Sequence, residues 1–97
     1  MCGIIGINSN RPVSSTIISS LKKLEYRGYD SAGIATLSNN EINEVKSEGR
    51  VDNLENNLLV QKMEGTIGIG HVRWATHGLP NSINAHPHSS QNVSVVH

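Results

Sequence analysis

An apolar run rich in β-branched residues begins at the second position of the chain: Cys2-Gly3-Ile4-Ile5-Gly6-Ile7-Asn8. Ser9 and Asn10 close it with turn-forming polar groups. Such a run predicts a buried strand over residues 2–8. The fold must therefore accept its own amino terminus as core, where most chains leave a loose tail. Residue 2 is then held rigidly, main chain and side chain alike.

The material available to cover that strand is limited. The chain has 97 residues, 36% of them hydrophobic, with no Phe and only Tyr26, Tyr29 and Trp74 as aromatics. A chain of this size forms at most one small domain and buries roughly 60–70% of its unfolded surface, so little stability is to spare. Val13, Ile17, Ile18, Leu21 and Leu24 fall on one face of a predicted helix. Pro12 is expected in its first turn, and Lys22 and Lys23 in its last turn oppose the helix dipole. Glu25 to Ser31 reads as a loop. Residues 32–38 read as a second strand, Asn39-Asn40 as a turn and 41–47 as the hairpin partner. Val51, Leu54, Leu58 and Leu59 predict a second helix over 51–63. Residues 66–73 alternate as a strand whose glycines, Gly68 and Gly70, signal another backbone or a ligand close by. Residues 75–91 have no periodicity, which in a small domain marks a functional or disordered loop. Residues 92–97 begin another strand.

Charge and cysteine usage exclude several function classes. Lys plus Arg balance Asp plus Glu at eight each, so no basic surface points to nucleic acid or an anionic membrane. One cysteine allows no internal disulfide and suits a reducing cytoplasm. No apolar run approaches the ~20 residues of a membrane span, and the start lacks the pattern of a signal peptide. The expected setting is cytoplasmic. Val93-Ser94-Val95-Val96-His97 closes the sequence without turn or cap. That predicts a domain continuing beyond these residues; a C-terminal edge strand is the competing reading.

Cysteine at position 2 carries a specific chemistry. Initiator methionine is removed when the next side chain is small, and cysteine qualifies. The product bears a thiol and a free α-amine on one residue. An α-amine has an ordinary pKa of about 7.7–8.0, so much of it is neutral near pH 7 and can take up the thiol proton. On position alone Cys2 reads equally as a small residue that happens to start a strand. The motifs downstream decide otherwise.

These motifs are Glu25-Tyr26-Arg27-Gly28-Tyr29-Asp30-Ser31-Ala32-Gly33, His71-Val72-Arg73-Trp74-Ala75-Thr76-His77-Gly78 and Asn84-Ala85-His86-Pro87-His88. With Cys2-Gly3-Ile4-Ile5-Gly6 at the front, they resemble the class II glutamine amidotransferases in order and interval, over essentially the whole chain. The Tyr-Arg-Gly-Tyr-Asp-Ser-Ala-Gly form is similar to the branch that aminates fructose 6-phosphate to glucosamine 6-phosphate. The resemblance implies an α+β fold, the amino-terminal part of an N-terminal-nucleophile (Ntn) hydrolase αββα sandwich, with residues 1–97 as the front portion of a type-2 amidotransferase domain. It implies that Cys2 attacks the γ-amide of glutamine to give a thioester and ammonia. Arg73 would hold the α-carboxylate, because a guanidinium fork matches a carboxylate bidentately. Trp74, Thr76 and His77 would line the same pocket. Arg27 and Gly28 would lie near the Cys2 amine, and His86 would order the long loop rather than move protons. No cofactor is implied, and members of the family assemble as homo-oligomers.

Read one at a time, these residues have plainer roles. Arg73 alone would be a surface ion pair, Trp74 could be core, and His71, His86 and His88 could order loops. Tyr29 and Asp30 read as loop packing. His86-Pro87-His88 with His71, His77 or Cys2 offers ligands of the kind zinc takes, but the cysteine is alone and no His-x₃₋₅-His pair falls on a predicted helix. The family pattern also places an Asn-Gly oxyanion pair, and later an aspartate for the substrate amine, beyond Val-Val-His. Losing one oxyanion donor typically costs about 10²–10³ in turnover, so little turnover is expected of these residues alone. A gene remnant and one part of a split enzyme are the alternative readings.

Overall fold

The computed structural model describes residues 2–74 and 83–97, with Arg27 described in its main chain alone. Its centre is a four-stranded antiparallel sheet in the order β1-β4-β2-β3, formed by β1 (Gly3–Asn8), β2 (Ser31–Ser38), β3 (Glu41–Glu48) and β4 (Ile67–Arg73). The amino-terminal run is thus a strand, as its β-branched residues dictate, but it starts at Gly3 and lies at the sheet edge with only Gly3 buried, so the buried strand expected over residues 2–8 is not what forms. It pairs with β4 from Gly3 opposite Val72 to Asn8 opposite Ile67. β2 and β3 form a hairpin around Asn39 and Asn40, which both take positive φ (52° and 63°). Asparagine tolerates that conformation better than most residues, which fixes the hairpin register.

One face of the sheet is covered by α1 (Ser14–Leu24). Ile17, Ile18 and Leu21 are buried, Leu24 packs at the margin, and Val13 is buried at the N-cap. Pro12 therefore precedes the helix instead of occupying its first turn. Lys22 and Lys23 do lie in the last turn, and Lys22 pairs with Glu55 at 2.6 Å and Asp52 at 3.3 Å. The glycines of β4 have a different cause from the one their sequence pattern suggests. A Cβ at Gly68 or Gly70 would meet the side chain of Ile17 at 2.7 or 2.5 Å, so it is α1, not a ligand, that passes close.

The helix expected over 51–63 is two short pieces, α2 (Val51–Glu55) and α3 (Leu58–Gln61). Asn57 separates them with extended φ and ψ, its side chain accepting from the Leu59 N–H at 2.9 Å. A local cap at the second Asn outcompetes helix continuation. Val51, Leu54, Val60 and Met63 join the core under α1, whereas Leu58 and Leu59 stay exposed. A 3₁₀ turn, Glu25–Arg27, leads from α1 into β2.

The opposite face is covered only in part. A short antiparallel ribbon, β5 (His88–Ser89) with β6 (Ser94–Val95), lies at this side. The terminal strand expected over 92–97 is thus reduced to two residues. Ser89 Oγ donates to a Glu44 carboxylate oxygen and can accept from Ser94 Oγ, tying the ribbon to β3. Beyond this cover Ile4, Leu37 and Ile67 remain 41–48% exposed. No helix among the described residues is long and apolar enough to cross a membrane.

Candidate active site

Strand register brings the first two motifs together. Gly3 lies opposite Val72, so the next residue outward, Cys2, falls beside Arg73 and Trp74 at the end of the β1–β4 pair. The Cys2 thiol lies 3.9 Å from the Trp74 carbonyl oxygen, a long contact even for sulfur. On the other side of β4, Arg73 faces Ser31 of β2, and the Asp30 N–H donates to the Arg73 carbonyl at 2.9 Å. Cys2, Arg73, Trp74, Asn84, His86, His88 and His97 line one cavity of about 230 Å³. Arg73 is buried, which its isolated reading as a surface ion pair did not anticipate; Trp74 is 55% exposed and so is rim, not core.

Gly28 fits against the same rim. It adopts φ 133°, a conformation that side chains other than glycine rarely take, and a Cβ there would come within 2.5 Å of the Trp74 ring. The loop thus seats the Trp74 side chain directly. Tyr29 lies beneath the Arg50 guanidinium, 4.8 Å from ring centroid to Cζ, in a packing role. Thr76 and His77, expected in the pocket wall, lie outside the described residues, as does the side chain of Arg27.

The third motif closes the cavity from above the sheet. The main chain of His86-Pro87 crosses Gly33 so closely that a Cβ at Gly33 would collide with the His86 carbonyl. The crossing puts the His86 ring on that of His71, stacked at 4.3 Å with an interplanar angle of 28°. His88 and His97 approach the same ring at 4.3 and 4.5 Å. His71 is fully buried, and its Nε2 lies 2.5 Å from the His97 main-chain oxygen. Burial pushes the His71 pKa below the usual histidine value; the hydrogen bond to the His97 main chain opposes the fall, and the charges of His97, Arg73 and His88 add to it. Burial likewise lowers His86, helped by His71, His88 and His97, to about 4. Both rings are therefore neutral at pH 7, which suits His86 to ordering the loop. Among the described residues no three His, Cys, Asp or Glu side chains converge as metal ligands.

Asn84, His88 and His97 were not singled out as cavity residues from the sequence. Asn84 and His88 sit within a quoted motif, so proximity to His86 was the available signal. His97 had none: a residue in a presumed terminal strand gives no hint that its carbonyl meets a histidine 26 positions away.

No protein-family model matches the chain. Curated relatives do. The chain is 55% identical over 97 residues to the glutamine–fructose-6-phosphate aminotransferase (isomerizing) of Mesorhizobium japonicum, covering all of this chain and 16% of that protein. The enzyme of the same name from Clostridium acetobutylicum is 54% identical over 99 residues, with the same coverage. Among solved structures, a glutamine phosphoribosylpyrophosphate amidotransferase from B. subtilis superimposes with a TM-score of 0.75 at 25% identity, over 97% of this chain and 20% of that one. The allosteric regulatory enzyme of purine biosynthesis superimposes with a TM-score of 0.78 at 28% identity, over 90% and 18%. The mixed fold, one antiparallel sheet with α1 on its face, is accordingly part of an Ntn-hydrolase α+β domain. The chain spans about one sixth of the length of the curated relatives it matches, and over that amino-terminal sixth it belongs to the glutamine–fructose-6-phosphate aminotransferase family.

Proposed function

We propose that this chain is the nucleophile-bearing front part of a glutaminase that supplies ammonia for the amination of fructose 6-phosphate. The observation that carries the reading is the cavity in which Cys2 of the opening run and Arg73 of the motif at 71–78 meet. With Met1 removed, the α-amine of Cys2 takes the thiol proton and Sγ attacks the γ-carbonyl carbon of glutamine. The carbon–nitrogen bond breaks, the amine-held proton leaves with ammonia, and a thioester remains. Water then releases glutamate and restores the thiol. Arg73 pairs with the α-carboxylate, which fixes the far end of the substrate and so positions the amide. Trp74 forms the rim and Gly28 seats it; the family pattern would assign Thr76 and His77 to the same pocket and Arg27 to the amine side. Residues 1–97 then make up the front portion of a type-2 amidotransferase domain in a cytoplasmic homo-oligomer.

The test combines mass and labelling. Intact-mass analysis should show loss of Met1 from protein made in its own host. A diazoketone analogue of glutamine should then alkylate Cys2, and excess glutamine should protect it. Arg73→Lys should reduce that protection at least tenfold, because a point charge cannot reproduce the bidentate fork. Retained Met1 in a preparation that still reacts this way would rule out the α-amine as base. Equal protection in wild type and R73K would take Arg73 out of the substrate site.

A further inference from the structure

We propose that His71 is a positioning residue for the Cys2 cavity, clamping residues 84–88 and 94–97 over it, and that acid opens this clamp. The inference rests on the reading of that cavity as the glutamine site. Its geometry stands on observations independent of that reading.

His71 and Arg73 are two residues apart on β4, so both side chains project from the same face of the sheet. One points into the cavity; the other lies fully buried beneath the cover. His71 makes two contacts that hold this cover. Its ring stacks on His86, and its Nε2 meets the His97 oxygen. His86, His88 and His97 are themselves cavity walls. The sheet beneath them offers little to anchor them at this point: the facing position on β2 is Gly33, filled by the His86 main chain, and the one on β1 is Ile4, which stays 48% exposed. The Nδ1 atoms of His71 and His86 are buried without a hydrogen-bond partner. Stacked neutral rings tolerate that arrangement; a protonated ring, which needs both nitrogens solvated or bonded, does not.

The charged and titratable groups around the stack act in one direction. The charges of His97, Arg73 on β4 and His88 on β5 disfavour a cation on His71; only the hydrogen bond to the His97 main chain favours it. His71, His88 and His97 do so on His86, against which only the Val95 main chain favours it. Glu44 of β3 reaches the ribbon at Ser89 but is not among the groups that raise either ring. Folded-state values below the ordinary one mean that the open form takes up protons first as pH falls. Opening is therefore promoted between about pH 6.5 and about 4.

Hydrogen exchange on the unaltered 97-residue chain tests the clamp without any substitution. From pH 7 to pH 5, after correction for intrinsic rates, residues 84–97 should lose protection roughly tenfold or more, while β2 and β4 change less than threefold. Uniform loss, or no loss in 84–97, overturns the proposal. Labelling of Cys2 tests positioning. His71→Asn keeps a donor but loses the ring, and should slow the glutamine-like diazoketone at least tenfold while leaving iodoacetamide, which needs no pocket wall, within threefold. His71→Phe restores a stacking ring and should recover the diazoketone rate to within threefold of wild type. Equal slowing of both reagents, or no recovery by H71F, would make His71 merely structural. Should H71N not fold, the exchange experiment decides alone. Absence of diazoketone labelling in the wild type would sink the glutaminase reading and leave the exchange result standing or falling by itself.

Discussion

The two faces of the central sheet are held by different physics. On one, α1 contributes Ile17, Ile18 and Leu21 to a continuous apolar cluster with Ile34, Val45, Val51, Leu54 and Val72. On the other, a main-chain crossing at Gly33, a stack of histidine rings and a two-residue ribbon provide the cover. The apolar face gains from each buried methylene whatever the pH. The histidine face gains from ring contact and a few hydrogen bonds, at His71 and at Ser89, and holds two buried ring nitrogens unbonded. The thiol and guanidinium sit at the border of these regions, on strands anchored by the first and under a wall built from the second. Under the proposed function, a well-packed platform with a looser cover divides the labour of a site that admits and releases substrate.

The contrast can be broken most strongly from the apolar side. Leu21→Ala should destabilise the chain by about 2–5 kcal/mol, since Leu21 is fully buried against β4 and β1. Urea unfolding should report a lower midpoint in both Trp74 fluorescence and far-UV dichroism. A smaller loss is expected from Gly33→Ala, about 1–3 kcal/mol, as the new methyl drives into the His86 carbonyl. Here the two probes should separate, with Trp74 fluorescence changing in the native baseline and the β-sheet signal preserved. Coincident transitions with an unaltered baseline would mean that the cover is no softer than the core.

Acid should sharpen the comparison with the smallest change. The His86 pKa falls from 6.5 to about 4 on folding, and that of His71 falls as well. A histidine held neutral in the folded state contributes nothing lost above pH 6.5; below it the unfolded chain binds the proton first and stability declines until about pH 4. At pH 5.5, one unit into that window, the folded-to-unfolded ratio should fall roughly tenfold relative to pH 7.5. Urea midpoints at the two values measure this, and His86→Gln should remove most of the dependence. A midpoint that rises on acidification would contradict the sign.

How much of this was legible beforehand depended on the range of the interaction involved. The apolar face was legible because helical spacing at Val13, Ile17, Ile18 and Leu21 and β-branched runs in β1 and β4 are local signals. The hairpin turn at Asn39-Asn40 was legible for the same reason. The break at Asn56-Asn57 was not, because the apolar spacing continues across it while a single side-chain cap ends the helix. Gly68 and Gly70 were misassigned to a ligand or backbone because the pattern shows that something passes close without showing what.

The sequence by itself determined the chemistry-bearing residue types, the terminal strand that carries Cys2, and the family, since motif order and spacing are properties of a linear string. Tertiary structure decided how Cys2 and Arg73 come to share a cavity, and that Asn84, His88 and His97 join them there. β1 pairs with β4 rather than with a neighbour in sequence, and that register sets Cys2 beside Arg73, 71 positions apart in the chain. It also decided that His71 meets both His86 and His97. Those contacts depend on a main-chain crossing at Gly33 and on rings packing where no apolar periodicity points. Long-range pairing and polar packing leave no local trace, so only the folded chain could disclose them.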